Sequence, residues 1–131
     1  MSLKMRGFWA LAIFGPLVLL CGQLAIAAMP APSAPTKAAL SFSASEFKFT
    51  PNSSNAAPGA PGSVSLANTG TVDHTWVLLG QDGKTEVVKL TAKPGQTAST
   101  EFKVPGPGTY QFICDVPGHK ESGMTGTLTV R

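Results

Sequence analysis

The chain has 131 residues and a formal net charge of +3, from ten lysines and arginines against seven aspartates and glutamates. Two of the basic residues, Lys4 and Arg6, precede an apolar run at the N-terminus, so the rest of the chain carries eight basic residues against seven acidic ones, a net charge of +1. That balance does not provide the basic face that nucleic-acid binding requires, and the length allows one modest hydrophobic core rather than several.

The N-terminal residues have the order of a secretory signal. Two basic residues are followed by 22 predominantly apolar residues at 8–29, which include the small-x-small sequence AIA at 25–27. Signal peptides have this arrangement, but a run of this length can also cross a bilayer. Residues 1–27 are therefore predicted to be a signal peptide or an N-terminal membrane anchor that is not cleaved. In both cases we expect the rest of the chain to be exported, to the periplasm or the extracytoplasmic face of the membrane.

A proline-rich linker is predicted to follow at residues 28–37, because MPAPSAPTK at 29–37 has three prolines in nine residues. Proline fixes φ and removes a backbone donor, which favours an extended tether. One folded domain is then predicted over residues 38–131. Within that domain the segment SSNAAPGAPGS at 53–63 is predicted to be a low-complexity loop, since strand-like sequence continues on both sides of it.

The domain has a hydrophobic period of two. Alternation of polar and apolar residues indicates strands with one buried face, and no window has a helical stripe. Trp76–Leu79 and Phe112–Ile113 are apolar on both faces, which predicts central strands. The sequence therefore predicts an all-β fold, a two-sheet Greek-key β-sandwich of seven or eight short antiparallel strands. The alternating segments are EFKF at 46–49, SVSL at 63–66, EFKV at 101–104 and TGTLTV at 125–130.

The segment YQFICDVPGHKESGM at 110–124 concentrates residue types that are scarce elsewhere in the chain. Tyr110, Phe112 and Cys114 share the inward face of a strand that ends at one pole of the sandwich. The Pro-Gly pair at 117–118 suits a type II turn that returns His119 towards Cys114. A second reversal over 120–123 then brings Met124 to the start of the last strand.

A second histidine, His74, stands at the start of the predicted central strand and can occupy the same pole. Taken singly, a histidine at a strand start is usually a polar surface residue and a methionine there is usually part of the core. Cys114, however, is the one cysteine beyond the N-terminal run, and an unpaired thiol in an oxidising compartment is a liability unless something holds it. Together the four residues predict a metal site formed by His74, Cys114, His119 and Met124.

The donor set favours copper over other chemistries. Structural zinc usually draws on two or more cysteines, and a Cys/His nucleophile would need a helix N-terminus or an oxyanion site that the sequence does not indicate. Two imidazoles, one thiolate and one weak thioether are the ligands of mononuclear copper sites that transfer electrons. Four protein ligands leave no position for a substrate, so we expect no enzymatic activity.

Three segments resemble the cupredoxins, the small type 1 or blue copper proteins: FKFTPN at 47–52, NTGTVDHTWVLL at 68–79 and GTYQFICDVPGHKESGMTGTLTV at 108–130. The resemblance covers residues 38–131 and implies a cupredoxin-like copper-binding domain. It implies one Cu(I)/Cu(II) ion held by His74, Cys114, His119 and Met124. The implied function is to shuttle single electrons between extracytoplasmic redox proteins, which would dock transiently at an apolar patch around His119 formed by Pro117, Gly118 and Gly123. We expect a monomer that binds no nucleic acid and contacts a membrane only through a retained N-terminal segment.

Two positions differ from most members of that family. Thr75 stands where most have asparagine directly after the first histidine, and Asp115 stands where serine or threonine often follows the cysteine. A carboxylate near the thiolate favours Cu(II), whereas a Thr75–Asp115 hydrogen bond opposes that effect, so no reduction potential is predicted. The alternative function is copper handling, either storage or delivery. A carrier usually offers several exposed methionines, and this domain has one in a constrained loop, which favours electron transfer.

Overall fold

The computed structural model describes residues 37–131, which form nine β-strands and no helix. The predicted N-terminal signal or anchor and all but the last residue of the predicted linker lie outside the described residues. Over residues 37–131, therefore, no helix is present that could cross a membrane. The strands are β1 Ala38–Ser45, β2 Lys48–Thr50, β3 Ser53–Ala56, β4 Pro61–Asn68, β5 His74–Leu79, β6 Glu86–Ala92, β7 Thr97–Lys103, β8 Gly108–Ile113 and β9 Thr125–Val130.

The strands form two sheets, as the sequence predicts. One sheet has four strands in the order β2-β1-β4-β7, and the other has five in the order β3-β9-β8-β5-β6. The chain crosses between the sheets after β2, β3, β4, β6 and β7, so neighbouring strands are often distant in sequence, as in Greek-key sandwiches. The count exceeds the predicted seven or eight because β2 and β3 have only three and four residues.

Two strand pairs are parallel, where the sequence indicated antiparallel strands throughout. β1 pairs with β4 and β3 pairs with β9 in parallel, while the other neighbouring pairs are antiparallel. The predicted loop at 53–63 was also wrong in part. Ser53–Ala56 is the edge strand β3, and Pro61 already begins β4. Small polar residues without an apolar alternation gave no strand signal there, because an edge strand needs backbone partners more than a buried face.

The core between the sheets is centred on aromatic rings. The Phe112 ring lies 4.8 Å from that of Phe42 and 5.3 Å from that of Trp76, measured between centroids. All six residues of β5 are buried, because β5 lies between β8 and β6 in the middle of its sheet. The predicted central position of β5 and β8 is confirmed. The predicted inward faces are confirmed too, at Val64, Leu66, Tyr110, Phe112, Cys114, Leu128 and Val130.

Strand register brings three chain segments to one pole of the sandwich. β5 and β8 are antiparallel with Val77 opposite Ile113, so the start of β5 lies beside the end of β8. β8 and β9 are antiparallel with Ile113 opposite Thr125, so the residue after β8 meets the residue before β9. The backbone N–H of Cys114 accordingly donates to the carbonyl of Met124 at 3.1 Å. Residues 74, 114 and 124 are therefore placed by sheet pairing rather than by loops.

The closest packing in this region is at Gly126, and it generates a stability prediction. A Cβ at Gly126 would lie 2.2 Å from two ring carbons of Phe112 and 2.5 Å from the carbonyl oxygen of Asn52. Because backbone cannot yield there, we expect Gly126→Ala to lower the free energy of unfolding by about 1–3 kcal/mol. Thermal unfolding measures this, at roughly 4–8 °C per kcal/mol for a domain of this size.

Gly106→Ala is the matched control, because a Cβ there meets nothing within 4 Å and its φ lies outside the left-handed region. We expect it to leave the unfolding temperature unchanged or to raise it slightly, since alanine reduces the freedom of the unfolded chain. Equal unfolding temperatures for the two variants would contradict the packing at Gly126.

Candidate metal centre

The structure brings three of the four predicted site residues into direct proximity. One donor atom each from His74, Cys114 and His119 lie within 4.8 Å of one another, and all three side chains are buried. The Cys114 Sγ and His119 Nδ1 are 3.5 Å apart, and the two imidazole centroids are 5.1 Å apart. Within residues 37–131 this is the one group of three or more His, Cys, Asp or Glu side chains spaced to hold a metal ion.

The loop after β8 folds as the sequence predicts. The His119 N–H donates to the carbonyl of Val116 at 3.0 Å, and Gly118 has a φ of 82°, which together define a type II turn over residues 116–119. A second turn follows, in which the Gly123 N–H donates to the carbonyl of Lys120 at 3.0 Å. The two turns reverse the chain twice and return it to the pole.

Met124 is fixed at the same pole through its backbone. Its N–H donates to the carbonyl of His119 at 3.0 Å, and its carbonyl accepts from Cys114. The side chain is fully buried within the main core. Met124 is thus tied to both of the other loop residues that the sequence singled out, one at each end of the double turn.

The imidazole ring of His74 is buried without a hydrogen bond. Neither ring nitrogen has a hydrogen-bond partner among residues 37–131, although His74 is 0% exposed. Buried polar atoms are normally satisfied, so two orphaned imidazole nitrogens need an explanation. Burial lowers the pKa of His74, and nearby His119 lowers it further, against the opposing influence of Glu46 and Asp73. The neutral imidazole that results is the form that binds metals.

A close approach at Gly70 packs the loop before β5 against His74. A Cβ at Gly70 would lie 2.8 Å from His74 Nε2 and within 2.8 Å of both carboxylate oxygens of Glu46, so a larger residue would displace one of these side chains. The Glu46 carboxylate accepts from the backbone N–H of Thr71 at 2.5 Å and from its hydroxyl at 3.0 Å. These bonds lower the pKa of Glu46 to about 2. An ionised carboxylate therefore lies near the outer edge of the His74 ring, which the sequence did not indicate.

The two residues that differ from most cupredoxins are bonded to each other. The Thr75 hydroxyl donates to Asp115 Oδ1 at 2.7 Å and accepts from the backbone N–H of Asp115 at 2.9 Å. The Thr75–Asp115 hydrogen bond that the sequence analysis considered is therefore present. The backbone N–H of Thr75 also donates to Cys114 Sγ, at 3.4 Å. Lys89, which the sequence analysis did not consider, lies with its Nζ 2.5 Å from Asp115 Oδ2.

Phe47 also lies at this pole, although the sequence pattern predicted it to be buried. Alternation over 46–49 predicted Phe47 and Phe49 on one buried face. Instead the chain turns between β1 and β2, so that Phe49 is 3% exposed and Phe47 is 46% exposed. The Phe47 ring lies edge-on to that of His119, with centroids 5.1 Å apart. No glycine, proline, asparagine or aspartate marks this turn, so the sequence carried no signal for it.

The residues of this pole fit copper. The donors are two imidazoles and a cysteine sulfur at short mutual distance, with a methionine anchored beside them. Soft thiolate with imidazole selects copper, and the His2Cys set with a methionine is that of type 1 sites. One of the two orphaned nitrogens of His74 finds its explanation in the same way, since a metal on that nitrogen satisfies a buried atom that no group of residues 37–131 reaches.

Comparison with known proteins gives short but close matches among individual relatives. Auracyanin-B of Chloroflexus aurantiacus is 56% identical over 36 residues, which are 28% of this chain and 15% of that protein. The multicopper oxidase mco of Staphylococcus epidermidis is 42% identical over 48 residues, which are 37% of this chain and 10% of that protein. The matched segments thus span well under two thirds of either relative.

Likeness over the whole domain is found with a solved structure and with a family model. The structure of auracyanin B superposes with a TM-score of 0.65 at 25% identity, covering 77% of this chain and 93% of that one. The model of the copper binding proteins of the plastocyanin/azurin family matches residues 36–131. This match extends over most of the chain and includes all four predicted site residues. The chain therefore belongs to the plastocyanin/azurin family, the cupredoxins, whose cofactor is copper.

Proposed function

We propose that the protein is a mononuclear type 1 copper protein that transfers single electrons, with His74, Cys114, His119 and Met124 as the copper ligands. The observation that carries this proposal is the convergence of the His74, Cys114 and His119 donor atoms within 4.8 Å in a buried pole. Copper held there supplies a one-electron couple. The chain's own contribution is to fix the donors, through strand register at residues 74, 114 and 124 and through the two turns that place His119.

Electron transfer is favoured over copper storage or delivery by the burial of the donors. His74, Cys114 and Met124 are 0% exposed and His119 is 7% exposed. Delivery to another protein requires ligands that a recipient can reach and exchange, and none of these side chains offers that. With all four residues assigned as ligands no coordination position is left for a substrate, so no enzymatic role is proposed for the domain.

A partner is proposed to dock around His119. Pro117, Gly118 and Gly123 are exposed around this residue, as the sequence led us to expect. The structure adds Phe47, whose exposed ring contacts the edge of His119. Exposed apolar groups suit brief docking, because contacts between them need no desolvation of ions. The partners are proposed to be redox proteins outside the cytoplasm, in keeping with the N-terminal signal or anchor that the sequence predicts.

The first prediction from the proposed function concerns the colour of the copper-loaded protein. Adding one equivalent of Cu(II) to the purified protein should produce an intense blue or green absorption and a narrow copper hyperfine splitting in the EPR spectrum. Ascorbate should bleach the colour and an oxidant should restore it. Cys114→Ser should abolish the intense band, since the thiolate generates it, whereas Cys21→Ser should retain it. A pale spectrum with ordinary hyperfine splitting for the parent protein would overturn the proposed function.

The second prediction concerns Met124 as a weak ligand. Because a type 1 site is held chiefly by its two imidazoles and thiolate, Met124→Gln should still bind one copper ion. The harder amide oxygen favours Cu(II), so the equilibrium constant for reduction should fall about tenfold, or about 59 mV for a one-electron couple. Met124→Leu should shift the potential in the opposite direction. Complete loss of copper from both variants would show that Met124 is needed to hold the metal, and would contradict its assignment as a weak ligand that only adjusts the potential.

The third prediction concerns the docking surface. Phe47→Glu should slow electron transfer to a physiological partner about tenfold or more, because a charge at this surface must be desolvated on docking. Val87→Glu is the matched control, since Val87 is also exposed, at 38%, but lies near the start of β6, away from the pole. Stopped-flow kinetics measures both. Equal rates for the two variants and the parent would show that partners dock elsewhere.

A further inference from the structure

The Thr75 hydroxyl has two acceptors within reach and one proton to give. Its oxygen lies 2.7 Å from Asp115 Oδ1 and 3.5 Å from Cys114 Sγ. A threonine hydroxyl has one proton to donate, although it can accept two hydrogen bonds. When that proton is bonded to one acceptor, it is not available to the other. The reduction potential of a copper site responds to hydrogen bonds on its thiolate, because each bond that the sulfur accepts lowers the electron density that it can give to the metal. The choice between the two acceptors therefore matters for the proposed site.

Geometry favours the carboxylate. The distance to Asp115 Oδ1 is that of a strong charge-assisted bond, whereas 3.5 Å to sulfur is a weak one. The backbone N–H of Asp115 donates to the same hydroxyl oxygen at 2.9 Å, so the two residues form a reciprocal pair that fixes the hydroxyl. Cys114 Sγ retains the backbone N–H of Thr75 as a donor, at 3.4 Å.

Lys89 secures this arrangement from the neighbouring strand. It lies opposite Val77 in β6, and its ammonium contacts Asp115 Oδ2 at 2.5 Å, leaving Oδ1 for Thr75. Lys89 and Asp115 form an ion pair, in which the second carboxylate oxygen is left for the Thr75 hydroxyl. Both side chains are a little over one third exposed, so the pair is screened by solvent and its role is orientation more than stability.

We propose that Asp115, oriented by Lys89, withholds the Thr75 hydroxyl proton from Cys114 Sγ and thereby sets the reduction potential of the copper site below the value it would have with that bond. Asp115 and Lys89 are then positioning residues, which act on the thiolate through Thr75. The inference rests on the proposed copper ligands, and it reverses the expectation from the sequence that the Thr75–Asp115 hydrogen bond opposes the effect of the carboxylate. It assigns a role to Lys89 that neither the sequence nor the family membership provides.

The test compares Asp115→Ala with Thr75→Val in the full-length, copper-loaded protein. In Asp115→Ala the hydroxyl is released to donate to Sγ. The thiolate-to-copper absorption band should then move to shorter wavelength, and the equilibrium constant for reduction should rise about tenfold, or about 59 mV for a one-electron couple. In Thr75→Val the band should stay in place, because the lost hydroxyl did not donate to sulfur. A band that moves to longer wavelength in Thr75→Val would overturn the proposal.

A double variant separates hydrogen bonding from charge. Loss of the carboxylate charge alone also raises the potential, but it does so whether or not residue 75 has a hydroxyl. The shift of the band caused by Asp115→Ala should therefore disappear in a Thr75→Val background. An undiminished shift would mean that Asp115 acts by its charge, and the proposal would fail. If Asp115→Ala does not fold, the band position in Thr75→Val still decides the matter.

The lysine has its own control. In Lys89→Met the contact that orients Asp115 is lost, so the Thr75 hydroxyl should be shared with Sγ: the band should keep its intensity, but its position should move towards that in Asp115→Ala. Lys103→Met, which removes a lysine from β7 in the other sheet, should change neither. Equal band positions in Lys89→Met and Lys103→Met would remove Lys89 from the mechanism. A parent protein without an intense band refutes the copper proposal itself, whereas normal bands in every variant at one unchanged position and potential refute only the role of Asp115 and Lys89.

Discussion

The antiparallel pairing of β8 with β5 on one side and β9 on the other is the constraint on which the site depends. It brings residue 114 beside residue 124 and the end of β8 beside the start of β5, so three donors are placed by backbone hydrogen bonds. Sheet pairing is rigid because each strand is held from both sides and its inward residues are packed into the aromatic core. A metal site built on such elements needs little rearrangement when the charge of the metal changes.

Around this frame the protein surrounds the donors with groups that are themselves held in place. Thr71 fixes Glu46 near His74, and Lys89 fixes Asp115 near Thr75. Each carboxylate lies outside the donors and is ionised by its own hydrogen bonds. Negative charge near the donors favours the oxidised metal, while the cation on Lys89 moderates one of the two. The balance of these charges is a property of loop and strand residues that do not touch the metal.

The sequence predicted the position of a residue correctly where a local pattern determines that position. The inward face of Tyr110, Phe112 and Cys114 follows from alternation along a strand, and the turn at 116–119 follows from the Pro-Gly pair; both were confirmed. β3 was missed because its edge position is decided by a partner 74 residues away, Thr127 opposite Ser53. Phe47 and Lys89 were missed because their positions depend on how separate strands are placed, which no local pattern encodes.

The pairing of β3 with β9 has a consequence for the order in which the molecule is made. β9 is the last of the nine strands in residues 37–131, and β3 and β8 both take it as a neighbour. A nascent chain that stops short of residue 124 has no Met124, no partner for β3 and only β5 beside β8, so the five-stranded sheet remains incomplete. Contacts between segments so far apart form late and slowly. Copper capture by the four proposed ligands together therefore has to wait until Met124 and β9 have been synthesised and β9 has paired with β8.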